Sequence, residues 1–239
     1  MIGKSSEKVV LVAGGTGGLG HAVSQAFLDD GARVVVTYRS EAEFAALKDA
    51  ADAEGALFEG DSVDITDAQA VEAFVGVILT RHGRLDAMVN TVGGYAGGLN
   101  VWETTPEVFN RMLDLNLRSG YTLARAVVPA MLKQGSGAIV NVAAKAAVDH
   151  AAGAGAYAAS KAAAVAMIDS LAADLKGTGV RVNSVLPSII DTEANRKAMP
   201  GADFSKWPKP AEIARIILFL CSPAAQLIHG AAVPVYGAN

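Results

Sequence analysis

Two groups of residues in this 239-residue chain have types and spacing suited to chemistry. The first is Tyr157-Ala158-Ala159-Ser160-Lys161. On a helix, residues four apart share a face. An ammonium held beside a phenol favours the phenolate, whose free pKa is about 10. A tyrosine tuned in that way donates a proton near neutral pH. The second is Gly14-Gly15-Thr16-Gly17-Gly18-Leu19-Gly20, which follows the apolar run Val9-Val10-Leu11-Val12-Ala13. A glycine turn between a strand and a helix N-terminus seats the pyrophosphate of a dinucleotide that carries hydride. Tyr-x-x-x-Lys occurs often by chance, but an acid and a hydride seat in one chain indicate a reductase.

These groups need elements to bring them together. Residues 9–13 read as a short, β-branched, buried parallel strand. A helix is expected from about 19 to 30, ended by Gly31. Strands follow at 33–37, 57–59 (weak), 87–90, 138–142, 180–186 and 232–235. Helices are expected at 41–52, 67–81 with Asp67 as its cap, 106–115, 120–133, 156–176 and 210–221. The fifth of these later helices, 156–176, carries both Tyr157 and Lys161. Alternating strands and helices predict an α/β fold: a Rossmann-like, doubly wound parallel sheet in a single domain spanning 1–239. Residues 192–209 form the longest stretch without clear periodicity, and long loops in compact domains are often functional.

The glycine turn fits two spacings, Gly15-x-Gly17-x-x-Gly20 and Gly14-x-x-x-Gly18-x-Gly20. Both serve a tight turn, close approach of backbone to pyrophosphate and close packing of helix on strand. An acid about 20 residues beyond the glycines would bind a ribose 2′-hydroxyl. That place reads Thr37-Tyr38-Arg39-Ser40, with no carboxylate before Glu41. Arg39 can pair with a 2′-phosphate and Tyr38 can flank adenine. NADP(H) is therefore the preferred cofactor, with NAD(H) as the alternative. Asp64 and Ile65 are placed to meet the adenine edge, and Asp61 rivals Asp64 for that role.

At these residues the whole chain resembles the short-chain dehydrogenases/reductases. The resemblance rests on the Gly14/Gly18/Gly20 turn, Asn90-Thr91-Val92-Gly93, Asn116, Tyr157-x-x-x-Lys161 and Pro187-Ser188-Ile189-Ile190-Asp191-Thr192. It implies that Tyr157 is the proton donor, and that Lys161 lowers the tyrosine pKa and holds the nicotinamide ribose. It further implies that Asn116 anchors a relay water and that the Ile189 backbone and Thr192 meet the carboxamide. Thr16, Gly17, Leu19, Asn90, Gly93 and Pro187 join the cofactor set on the same ground. One departure matters: the family's serine, thirteen residues before the tyrosine, is here Ala144, and Ala143 beside it has no hydroxyl either. Losing one donor to a developing oxyanion typically costs about 2.7–4 kcal/mol.

A narrower resemblance is to the dihydropteridine reductase branch. It is carried by Gly93-Gly94-Tyr95-Ala96-Gly97-Gly98, Ala144-Lys145-Ala146-Ala147, Leu186-Pro187 and most of the stretch from Asp191 to Trp207. That branch also has alanine at the serine position and implies a quinonoid dihydropterin, a conjugated ring over which charge from hydride can spread. Tyr95 and Trp207 then join Ala144 as substrate-site residues. Three functions are weighed: reduction of such a conjugated acceptor, reduction of carbonyls or 3-oxoacyl thioesters, and a non-catalytic NADP-binding module. Trp102 reads as a packing residue, Lys145 as a surface charge able to form a local salt bridge, and Cys221 as a small core residue.

Composition sets outer bounds. Hydrophobic residues make up 51% and charged residues 18%, enough apolar side chain for a large core and too little charge for a disordered chain. A net charge of −4 disfavours a nucleic-acid surface. One cysteine and four scattered histidines offer neither an internal disulfide nor zinc spacing, so no metal site is expected. No run is long enough to span a bilayer, and Val9 to Ala13 is too brief for a signal core, which together point to a cytoplasmic enzyme with a small-molecule substrate. Small residues at Ala162, Ala163, Ala164 and Ala166 suit close helix packing, and the resemblance implies a homodimer or homotetramer.

Overall fold

The computed structural model describes residues 8–53 and 55–238. The first strand, β1 (Val9–Ala13), is apolar at every position, as a strand covered on both faces must be. It lies between β2 (Arg33–Tyr38) and β4 (Ala87–Asn90) in a seven-stranded sheet of order β3-β2-β1-β4-β5-β6-β7. The other strands are β3 (Phe58–Ser62), β5 (Gly137–Val142), β6 (Val180–Pro187) and β7 (Ala232–Val235). All pairings are parallel. The order reverses between β1 and β4, and in open α/β sheets ligands bind at that switch point, beyond the carboxyl ends of the strands.

The strand period of two divides the core. Val10 and Val12 face one side, with Phe27 of α1 (Gly18–Asp29), Phe44 of α2 (Glu41–Ala53) and Ile217 of α8 (Pro210–Cys221). Val9 and Leu11 face the other, with Phe74 of α3 (Ala68–His82), Leu123 of α5 (Ser119–Gln134) and Ile168 of α6 (Gly155–Asp174). A fully buried valine such as Val12 or Val140 contributes about 1.5–3 kcal/mol. The two layers thereby fix the sheet ends to which the site is attached.

Most expected elements are found within one or two residues of their predicted ends. Asp67 caps α3 as expected, its carboxylate accepting from the Gln69 and Ala70 amides. Two differences bear on the site. The helices expected at 106–115 and 120–133 are joined: α4 (Pro106–Leu113) passes into α5 through a π-helical turn, Asp114–Arg118, closed by the Ser119 amide on the Asp114 carbonyl. Such π-turns frequently occur at functional sites, and this one carries the buried Asn116. The aperiodic stretch 192–209 contains α7 (Glu193–Ala198), capped by Thr192, and a 3₁₀ turn, Phe204–Lys206. Neither is long enough to show a sequence period. Within the described residues no helix is long and apolar enough to cross a membrane.

Candidate active site

The glycine turn has almost no room for side chains. A Cβ on Gly20 would fall 1.9 Å from the Gly14 carbonyl oxygen, and one on Gly15 would fall 2.3 Å from Val36 Cγ1. Gly14 has φ +74°, a region L side chains rarely adopt. The Gly14 amide donates to Thr37 Oγ1 at 3.0 Å and the Gly15 amide to the Thr37 carbonyl at 3.1 Å, so the turn is pinned to β2. The N-cap of α1 is Gly17, and no side chain caps that end. The first-turn amides and the positive end of the helix dipole are left for an anion. A backbone cradle that a Cβ would fill, with an uncapped helix above it, fits a dinucleotide pyrophosphate. Thr16, Gly17 and Gly18 are solvent-accessible in this turn, whereas Leu19 is buried in the core and offers the cradle only backbone.

The ribose end is mixed. Arg39 is exposed just beyond β2 and has no ion pair among the described residues. Tyr38 is not placed as expected. Its ring is buried and stacked on Phe44 at 4.3 Å, and its hydroxyl donates to Glu41 at 2.7 Å. That bond, with burial and the nearby carboxylates, pushes its pKa up to about 12. The strand's alternation turns Tyr38 toward α2, where Phe44 covers the face expected to flank adenine. The same contact occupies Glu41, the nearest carboxylate. The Asp64 carboxylate accepts from the hydroxyl and amide of Thr66, which hold its pKa below the usual carboxylate value. Ile65 is buried among the side chains on the α3 face of the sheet.

Between the cofactor and catalytic ends, Thr91 donates to the Ala13 carbonyl at 2.7 Å and ties β4 to β1. Asn90 is buried and engaged internally. Its amide donates to Asn141 at 2.9 Å, and its oxygen accepts the Val92 amide at 3.1 Å. Gly93 lies against the centre of the site, where an added Cβ would sit 2.9 Å from Asn116 Oδ1 and 3.0 Å from Lys161 Nζ. A Cβ on Gly18 would sit 2.9 Å from Thr192 Cγ2, so the segment after β6 closes against the glycine turn. Pro187 ends β6, and Ile189 just beyond it is exposed.

Tyr157 and Lys161 occupy the first two turns of α6, as their spacing requires. Asn116 bonds the Gly94 backbone twice, accepting from its amide and donating to its carbonyl at 3.0 Å each. Its other N–H goes to Ser160 Oγ at 3.0 Å, and Ser160 donates to the Tyr157 carbonyl at 2.7 Å. The π-turn, the loop after β4 and α6 are thereby fastened around the tyrosine. With both N–H groups engaged, Asn116 can hold a water only through oxygen.

The expected electrostatics are reversed in this geometry. Lys161 is buried, and its ammonium donates to the Val142 carbonyl at 3.0 Å. Burial lowers its pKa to about 8. Tyr157 is not lowered by it: burial first, and the Tyr95 phenol second, push Tyr157 up to about 12. The cause is low dielectric, which penalises phenolate and ammonium alike. The Tyr157 phenol therefore keeps its proton at neutral pH.

Just beyond the end of β5, Ala144, an expected substrate-side position, and Ala143 beside it are buried and offer no hydroxyl. Tyr95 is 68% exposed, with its ring edge-on to Tyr157 at 5.0 Å. Trp207 is buried and packs on Phe204 at 4.9 Å, holding the loop rather than facing solvent. Trp102, expected to pack, is 83% exposed. Lys145 pairs with Asp149 at 3.5 Å and also lies over the Tyr236 ring at 5.3 Å. The sequence reading missed the C-terminal tail. Ser188 donates to the Tyr236 carbonyl and the Ala238 amide donates to Lys206, so the tail braces the loop. Only the aromatic Tyr236 so near the end of the chain hinted at this.

Sheet order, glycine turn and switch-point location define a Rossmann-like nucleotide-binding domain. A family model described as short chain dehydrogenase matches residues 8–203, and the chain belongs to that family of oxidoreductases. It is similar to a dehydrogenase/reductase SDR family member 4 from Oryctolagus cuniculus, with 34% identity covering 97% of this chain and 93% of that protein. A 3-oxoacyl-acyl-carrier-protein reductase from Thermotoga maritima is 29% identical, with 96% of each chain covered. A solved structure of an actinorhodin polyketide ketoreductase with NADPH superposes with TM-score 0.90 at 26% identity over all of both chains.

Proposed function

We propose that the chain is an NADPH-preferring reductase of a conjugated acceptor of the quinonoid dihydropterin type, with Tyr157 as proton donor. The observation that carries this reading is the buried Ala143–Ala144 pair where a carbonyl reductase of this family would hold a substrate oxygen. An acceptor that spreads the incoming charge over a ring tolerates that loss better than a simple ketone, for which one missing donor costs roughly 10²–10³ in rate.

The bound dinucleotide supplies hydride. The α1 amides hold its pyrophosphate, Arg39 its 2′-phosphate, Lys161 its ribose, and Ile189 and Thr192 its carboxamide. Arg39 suits a phosphate because its guanidinium is exposed and has no ion pair among the described residues, while Glu41 is engaged by Tyr38. Tyr157 keeps its proton until the acceptor draws it. Asn116 and Ser160 set the position of Tyr157. The 192–209 segment, braced by Trp207 and the tail, limits access of water. The exposed or half-exposed Ala162, Ala163 and Ala166 on α6 support assembly as a homodimer or homotetramer, and the reading places the enzyme in the cytoplasm.

A second reading, reduction of carbonyls or 3-oxoacyl thioesters, is favoured by the several ketone-type reductases among the similar proteins, the 3-oxoacyl-acyl-carrier-protein and polyketide ketoreductases included. Intact Tyr157, Lys161 and Asn116 argue against a module that only binds NADP. NADPH oxidation with quinonoid dihydropterin, simple ketones and 3-oxoacyl thioesters, with NADH as control, separates the readings. Turnover confined to the pterin is the expected result. Faster turnover of ketones or thioesters would replace the first reading by the second.

A further inference from the structure

The polar side chains around Tyr157 are nearly all committed within the protein. Ser160 donates to the Tyr157 carbonyl, both Asn116 N–H groups are engaged, and Lys161 donates to Val142. Ser188 donates to the tail, and Thr192 caps α7. Tyr95 is different. Its ring touches Tyr157, it is exposed, and its hydroxyl has no hydrogen-bond partner among the described residues. The hydroxyl fits because residue 97 is glycine: a Cβ there would lie 2.1 Å from the Tyr95 oxygen. The same ring forms one wall of a cleft of about 390 Å³ that also meets Leu99, Val108, Arg111 and Ala156, the residue before Tyr157. The two phenols also sense each other electrostatically, since Tyr95 contributes to the upward shift of Tyr157.

We infer that Tyr95 supplies the hydrogen bond that Ala144 cannot: its hydroxyl donates to the acceptor atom that gathers charge as hydride arrives. This rests on the reductase reading above. Hydride adds at one end of the conjugated system, the displaced electron pair settles on a heteroatom, and Tyr157 protonates it. Tyr95 donates a hydrogen bond and keeps its own proton. Its ring lies edge-on to Tyr157 at 5.0 Å, which leaves both phenols within reach of one acceptor, and the loop from 93 to 98 is tied to the Gly153 carbonyl through the Gly98 amide.

The test uses whichever acceptor the wild-type enzyme turns over. Tyr95→Phe keeps the ring contact and removes only the hydroxyl. It is expected to lower kcat by about 10²-fold, the usual effect of one lost donor, with KM changed by less than about threefold. Adding Ala144→Ser to that variant should restore at least about tenfold, because a hydroxyl returns at residue 144. Gly97→Ala, which displaces the Tyr95 hydroxyl, should lower kcat in the same direction and be rescued in the same way. Wild-type kcat in Tyr95→Phe, or a loss that Ala144→Ser does not recover, would overturn the inference and leave the reductase reading intact. A wild-type enzyme that reduces no acceptor of the panel would instead overturn that reading, and this inference with it.

Discussion

At the β1–α1 turn the site is made of backbone; at the Tyr95 wall and the 192–209 segment it is made of side chains. The turn is held by contacts that exclude even a methyl group at Gly15 and Gly20. Its chemistry comes from amides and a helix dipole, which are the same whatever the substrate. The opposite wall offers an exposed phenol, two buried alanines and a loop clamped by Arg196 on Asp191 and Phe204. Those features can vary without disturbing the sheet. On the proposed reading one end sets the cofactor class and the other the acceptor, and substitutions at the two ends should fail in different ways.

The largest effect on the fold is expected from Gly20→Val. Its Cβ would overlap the Gly14 carbonyl, so the turn must open; overpacking of this kind costs about 1–3 kcal/mol or more. Thermal denaturation should show a destabilised fold, and fluorescence titration should show lost NADPH binding. A stable variant that binds normally would show that the turn is not the cofactor seat. Arg39→Ala acts on the same end but leaves the fold alone. Loss of a charge-assisted contact to phosphate should weaken NADPH about tenfold or more and NADH little. Equal weakening of both would remove the 2′-phosphate assignment.

These expectations follow from features visible in the sequence, and the reason is physical. A glycine turn after an apolar strand, a helix cap such as Asp67 and a Tyr-x-x-x-Lys pair are local patterns, and local patterns survive without coordinates. What depended on distant packing was not legible. Tyr38 stacks on Phe44 because α2 packs against that face of β2, a contact between elements that neither element's own period shows. The expected gap between two helices is a π-turn because Asn116 bonds to Gly94 and Ser160, which are 22 and 44 residues away in sequence. Trp207 packs on Phe204, and the tail bonds to Lys206 beside it, a contact that no spacing rule predicts.

A smaller effect sharpens the electrostatic contrast. Lys161 ionises at about 8 when folded, against about 10.4 when unfolded. Between those values the unfolded chain binds more protons, so stability rises with pH across that window. Below about pH 8 the folded protein carries a buried ammonium and the cost is full. Urea unfolding should therefore show wild type gaining stability relative to Lys161→Met from pH 7 to pH 10. A constant difference would mean that burial does not shift Lys161.

We propose that Tyr157 donates the proton at a site whose cofactor seat is separate from it. The direct measurement pairs NADPH affinity with turnover in Tyr157→Phe. Loss of one general acid predicts a fall in kcat of roughly 10²–10⁴ with NADPH affinity nearly unchanged. Turnover at the wild-type rate, or binding and turnover lost together, would contradict it.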